Sequence, residues 1–231
     1  RREEGPVRIF EIARVYGPRG EDLPDERETA CVLMSGPAGP VSWHAGSRPV
    51  DFFDAKGLAE LVLSRCGIRA TFAPSSDEGL FPGRQARIML GRDGLGVVGQ
   101  LHPEVTRAFG LDEPVFVLEL DVAALLVRAT AVAGFRPLSR FPFSERDIAV
   151  VVDNDVTYAA VERIIRESRL TTEVTLFDVY SGAQVPEGKK SFAIHIVYQA
   201  NDHTLTDGEV NEAQDRILAR LGSKLGAVLR G

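Results

Sequence analysis

Leu176-Phe177-Asp178-Val179-Tyr180-Ser181-Gly182 and Lys189-Lys190-Ser191-Phe192-Ala193-Ile194-His195-Ile196-Val197-Tyr198 decide how this chain folds. In the second stretch Phe192, Ile194, Ile196 and Tyr198 fall on every other position, the pattern of a strand with one face buried and one face free. The first stretch is rich in β-forming residues, and a strand is expected over Glu173–Tyr180. Gly182, Pro186 and Gly188 break the segment between them, so the two strands should pair as a hairpin. Within the first strand Asp178 and Tyr180 are two apart and share a face. A carboxylate accepts hydrogen bonds from the imino and amino edge of a guanine, and a phenol ring beside it offers a stacking surface. Unpaired RNA is recognised by that combination of base-edge bonds and aromatic platforms.

Working outward, Asp147–Val152 is expected as a strand and Thr157–Arg169 as a helix with Val161, Ile164, Ile165 and Ser168 on one side. Thr206 and Glu209 have the spacing of a capping box at the head of a helix carrying Val210, Ala213, Ile217, Leu221 and Leu225. Ala227–Arg230 supplies a short last strand. The order is βαββαβ, a ferredoxin-like sandwich whose two helices cover one sheet face and leave the other open.

Upstream lies a second module. Thr29–Ser35 is an apolar strand bounded by Gly36-Pro37-Ala38-Gly39-Pro40. Asp54 is placed to cap a helix bearing Leu58, Leu61 and Val62, and Gly67 to end it. Asp93-Gly94 between Arg87–Leu90 and Leu95–Gln100 predicts a hairpin turn. A short helix is expected from Pro103 to Gly110, and a strand over Val115–Leu120. These elements make an antiparallel sheet with helices against it, so the whole chain belongs to the α+β class. Ala129–Phe143, broken by Gly134, Pro137 and Pro142, is expected as the connection, with domains at 1–133 and 134–231.

At 231 residues the chain has room for two domains, each with its own core. No apolar run approaches the ~20 residues that cross a bilayer. Cys31 and Cys66 are far apart and have no metal-ligand spacing, which points to a reducing cytoplasm. A net charge of −6 argues against a protein that coats nucleic acid non-specifically, though not against one that reads a few splayed bases. The opening Arg1-Arg2-Glu3-Glu4, without a Met, fits a fragment of something longer.

Other motifs carry less. Gly94-Leu95-Gly96-Val97-Val98-Gly99 matches G-x-G-x-x-G, but a dinucleotide site needs it between a strand and a long helix. Here it sits in a hairpin, and turn chemistry is the simpler reading. Asp51 and Asp54 at a helix start suit capping better than acid–base catalysis. His44, His102, His195 and His203 are scattered and no metal is expected. Ser191 has no base partner nearby in sequence, and no catalytic residue is assigned.

The segments Arg140-Phe141-Pro142, Arg146-Asp147-Ile148-Ala149-Val150, Phe177–Gly182, Gly188–Ala193 and Asp202-His203-Thr204-Leu205-Thr206-Asp207-Gly208-Glu209-Val210 occur in an order that resembles the ferredoxin-fold anticodon-binding domain closing the β subunit of bacterial phenylalanyl-tRNA synthetase. Arg8-Ile9-Phe10-Glu11, Val50–Gly57, Pro82-Gly83-Arg84 and Gly99–Val105 resemble the catalytic-like class II synthetase module that precedes it. The resemblance covers nearly the whole chain. It implies that Asp178 bonds the first anticodon base, a guanine, that Tyr180 stacks on it, and that Ser191 adds a polar contact; Lys189 and Lys190 are candidates for phosphate contacts. It implies tRNA for phenylalanine and the catalytic α subunit as partners, in a parent of two α and two β subunits, with neither membrane nor DNA among them. The parent, a cytoplasmic ligase, uses ATP and Mg²⁺. This chain alone is expected to be non-catalytic and to need no cofactor, because Ile9 stands where class II enzymes place an arginine two residues before the glutamate. Trp43, Phe52 and Phe53 are candidates for the α-subunit contact. Two departures stand out: His203 in place of an expected Arg, and Phe81 in place of a His. The alternative is a ferredoxin-like small-molecule-binding or dimerisation module without RNA function.

Overall fold

A computed structural model describes residues 5–20, 22–39, 43, 46, 48–129 and 139–230. His44 and residues 130–138 of the expected connection lie outside them. The chain divides into two compact units, Arg1–Gly134 and Phe135–Gly231.

The first unit carries an antiparallel sheet of six strands, β1 (Val7–Gly17), β2 (Asp25–Ser35), β3 (Thr71–Pro74), β4 (Leu80–Leu90), β5 (Asp93–Leu101) and β6 (Val115–Asp121), in the order β1-β2-β6-β5-β4-β3. Helix α1 (Phe52–Arg65) packs on β5 and β6, burying Ala55, Ala59 and Leu63 against Ile88, Leu95, Val98 and Leu118. Two short helices follow strands, α2 (Pro103–Ala108) and α3 (Val122–Arg128).

Three details differ from expectation. The α1 N-cap is Asp51, not Asp54; Asp51 accepts from the Phe53 and Asp54 amides, and Asp54 returns the bond to the Asp51 amide, a reciprocal box. The β4–β5 turn is Gly91-Arg92, because Gly91 takes the left-handed φ of +62° that the first turn residue needs. Asp93 and Gly94 already pair within the ladder. The second and third glycines of the G-x-G-x-x-G run serve strand packing: a Cβ on Gly96 would lie 2.0 Å from the Glu119 carbonyl oxygen, and one on Gly99 2.9 Å from the Gln85 Cβ.

The Asp54 box is also electrostatic. Arg48 holds Asp54 through two hydrogen bonds of 2.7 and 2.8 Å. That pairing, with the Asp51 amide, brings the Asp54 carboxyl down to about 2. A pKa below the ordinary carboxylate value means stabilisation that is complete above about pH 4 and is lost as pH falls toward 2. Asp54→Asn should therefore cost about 1 kcal/mol near neutral pH and almost nothing near pH 2, when both proteins are unfolded with urea. A gap of equal size at both pH values contradicts this.

The second unit has four strands, β7 (Ser144–Asp153), β8 (Thr171–Tyr180), β9 (Lys189–Tyr198) and β10 (Val228–Leu229), and two helices, α4 (Tyr158–Arg166) and α5 (Asp207–Leu225). Chain order βαββαβ and sheet order β10-β7-β9-β8, all antiparallel, make it a ferredoxin-like sandwich. Its core lies between sheet and helices: Ile148, Val150 and Val152 from β7, Phe192, Ile194, Ile196 and Tyr198 from β9, Val161, Ile164 and Ile165 from α4, Val210, Ile217 and Leu221 from α5. The Thr206–Glu209 capping box forms as its spacing predicted. Among the described residues no helix is long and apolar enough to cross a membrane.

Candidate nucleic-acid interface

The face of the second sheet away from α4 and α5 is built by residues that alternate with the core positions: Glu145, Asp147, Ala149, Val151 and Asp153 on β7, and Lys189, Ser191, Ala193, His195 and Val197 on β9. Strand β8 joins this face through a bulge. Leu176 pairs with core-facing Ile194, while Asp178 pairs with Ala193, leaving Phe177 as the extra residue. Strict alternation would have sent Asp178 and Tyr180 inward with Leu176. The bulge reverses their direction, so Asp178 stands opposite Ala193 and Tyr180 opposite Ser191 on the uncovered face. The sequence carried no clear sign of it.

Asp178 is exposed and Tyr180 half-buried. Directly across from Asp178 lie Ala193 and then Ala149, two small side chains that leave a shallow floor beside the carboxylate. The Tyr180 ring bends over Gly182, where a Cβ would come within 2.5 Å of its hydroxyl, so glycine is required for this ring position. The Arg230 guanidinium lies 5.3 Å from the centre of the same ring. Ser191 shares the face but is only 3 % exposed.

The two lysines part company. Lys189 is on the uncovered face, paired with Asp153 at 2.5 Å. Lys190 alternates to the other side, where its ammonium donates to the Asn154 carbonyl at 2.8 Å and sits over the Phe192 ring. His195 bonds Asp147 at 2.7 Å and lies 3.6 Å from Glu145, and that contact with Asp147 raises its pKa. A raised histidine pKa adds stability at low pH that disappears as pH climbs through the folded value. His203, where the resemblance led to an Arg, bridges Asp202 and Glu209 at 2.8 and 3.0 Å and so braces the head of α5.

In the first unit, Arg8 of β1 donates to the Ala38 carbonyl at 2.7 Å, and Ile9 is exposed. With its arginine holding a loop and an aliphatic chain beside it, this strand does not fit a nucleotide triphosphate, which needs a fixed cationic fork. No cluster of three metal-ligating side chains occurs among the described residues. Trp43 is 97 % exposed, Phe53 is exposed and Phe52 is half-buried. Sequence reasoning missed the more extensive apolar surface: the outer strand β1 exposes Ile9, Phe10, Ile12 and Tyr16, Phe10 at 77 %. Its signal was the Ile9-Phe10-Glu11-Ile12 run, in which Ile9 lies on one face of the strand and Phe10 and Ile12 on the other.

The chain is thus an α+β antiparallel module followed by a ferredoxin-like sandwich with an acid and a phenol on its open face. Comparison with known proteins places both modules in described families. Residues 1–122 match the family described as phenylalanyl tRNA synthetase beta chain CLM domain, and residues 139–230 match the ferredoxin-fold anticodon binding domain. The chain belongs to the phenylalanyl-tRNA synthetase β chain family. Similar curated relatives are the phenylalanine–tRNA ligase β subunits of Dehalococcoides mccartyi (strain ATCC BAA-2266 / KCTC 15142 / 195), 44 % identical over 228 residues, and Symbiobacterium thermophilum, 43 % identical over 233 residues. Each alignment covers 99 % of this chain, but 28 % and 26 % of the relative, so the chain spans little more than a quarter of their length. Among solved structures, pyrrolysyl-tRNA synthetase from Desulfitobacterium hafniense is similar over 53 % of this chain and 41 % of its own, at 20 % identity and a TM-score of 0.39.

Proposed function

We propose that this chain is the C-terminal part of the β subunit of a phenylalanine–tRNA ligase, a class II aminoacyl-tRNA synthetase. Residues 134–231 are its anticodon-binding domain, and residues 1–133 are a catalytic-like module without catalytic residues. The observation that carries this is the β8 bulge, which brings Asp178 and Tyr180 out together on a sheet face that neither helix covers. In this role the Asp178 carboxylate accepts from the Watson–Crick edge of the first anticodon base, a guanine, while the base stacks on Tyr180. Ser191 becomes reachable once the Tyr180 ring shifts. Lys189 shares the binding face, whereas Lys190 meets a phosphate only by rounding the sheet edge.

The open face also speaks against a dimerising sheet. Glu145, Asp147, Asp153 and Asp178 would be set against the same group of carboxylates on a second copy, and like charges at an interface repel. The exposed apolar β1 strand and Phe53 support docking of the first unit on the α subunit, because such an edge invites a partner. That subunit carries the ATP and Mg²⁺ chemistry in an assembly of two α and two β chains, in the cytoplasm.

Titration of the chain with phenylalanine tRNA, and with the same tRNA carrying adenine or uracil at the first anticodon position, tests the reading. Discrimination worth about 1–3 kcal/mol is expected for a base-edge contact of this kind. Equal affinity for all three tRNAs rejects it.

A further inference from the structure

We propose that Arg230 is a ligand for the backbone phosphate of the nucleotide that stacks on Tyr180. This rests on the reading of the open face given above and adds to it a residue that neither the sequence motifs nor the comparisons assign. Three observations point to it. First, Arg230 is held in place: Gly226, at φ +62°, ends α5 and turns the chain back along the sheet, and the Arg230 amide donates to the Ala149 carbonyl at 2.8 Å. Ala149 is in the row that runs from Asp178 through Ala193, so the arginine and the aspartate occupy opposite ends of one row. Second, the guanidinium already touches the platform. It lies 5.3 Å from the centre of the Tyr180 ring and donates to the Gln184 side-chain carbonyl.

Third, its charge is unspent. Lys189 is paired with Asp153, and His195 with Asp147, but among the described residues Arg230 has no carboxylate within ion-pair distance. The face is otherwise acidic, so an incoming nucleotide needs a cation near its phosphate. A planar guanidinium, with its fork of donors, is suited to that and also stacks on aromatic rings. In the free protein the guanidinium rests on Tyr180. On binding it moves to the phosphate and leaves the ring to the base.

Salt dependence separates this role from a packing role. Arg230→Ala in the full chain should weaken binding of phenylalanine tRNA about tenfold, by the same factor whatever base stands first in the anticodon. The slope of log affinity against log salt should fall by about 0.7, the value for each phosphate that a protein neutralises on a single strand. Arg230→Lys, which keeps the charge, should restore the slope. An Arg230→Ala protein with the wild-type slope, or a loss confined to one base, overturns the proposal. Asp178→Ala is the companion arm: it should relax base preference and leave the slope unchanged. If Asp178→Ala behaves so while Arg230→Ala is silent, the phosphate role falls and the anticodon reading stands. A wild-type chain indifferent to the base removes both.

Discussion

Ile194→Ala is expected to remove about 3–5 kcal/mol from the stability of the second unit. Ile194 is fully buried at the centre of β9, flanked by Ile148 on β7 and Leu176 on β8, with α4 and α5 packed over the same core. Truncation loses the transfer free energy of three carbons and leaves a cavity that rigid neighbours on two strands cannot fill. The loss should appear as a lower midpoint in a urea titration followed by circular dichroism, with Ile194→Val costing about 1 kcal/mol. Equal costs for the two variants would mean that this position is not tightly packed.

Gly96→Ala is expected to have an effect of similar size in the first unit, about 3 kcal/mol, by the opposite mechanism. The added methyl would sit 2.0 Å from the Glu119 oxygen and 3.1 Å from the Leu120 Cα, both backbone atoms of the neighbouring strand β6. No rotamer change relieves a clash between a Cβ and a main chain, so β5 and β6 must separate, with loss of ladder bonds on either side. The gain from a stiffer unfolded chain, at most about 1 kcal/mol, does not offset this. Gly94→Ala is the control, because a Cβ there meets nothing within 4 Å. If both variants unfold alike, the tight approach of the two strands is refuted.

Much of the second unit was legible because its signals agree. Alternation over Phe192–Tyr198, the helical period through Val210, Ala213, Ile217 and Leu221, and the Thr206–Glu209 spacing all specify one layout. The first unit was less so. Val7–Gly17 is apolar on both faces, and Thr71–Pro74 and Val122–Arg128 are too short for a period to register. At Asp51 and Asp54 either carboxylate could cap, and only the backbone geometry decides which does.

The candidate site shows the same division. That Asp178 and Tyr180 share a face follows from their spacing alone. Which face that is depends on one extra residue, Phe177, whose insertion into the ladder is set by pairing with β9 rather than by anything local. The arginine over the ring was invisible for a related reason. Arg230 and Tyr180 are 50 positions apart and come from opposite edges of the sheet, so only the folded chain brings the guanidinium to 5.3 Å from the ring.

The measurement that bears most directly on this account is a double-mutant cycle across the proposed contact. Wild-type and Asp178→Ala chains are titrated with phenylalanine tRNA bearing guanine or inosine at the first anticodon position; inosine lacks only the exocyclic amino group. If the carboxylate accepts from that group, inosine weakens the wild type by about 1 kcal/mol or more and leaves the variant almost unaffected. Losses that simply add, with no coupling between the amino group and Asp178, would contradict the claim that this strand face reads the base.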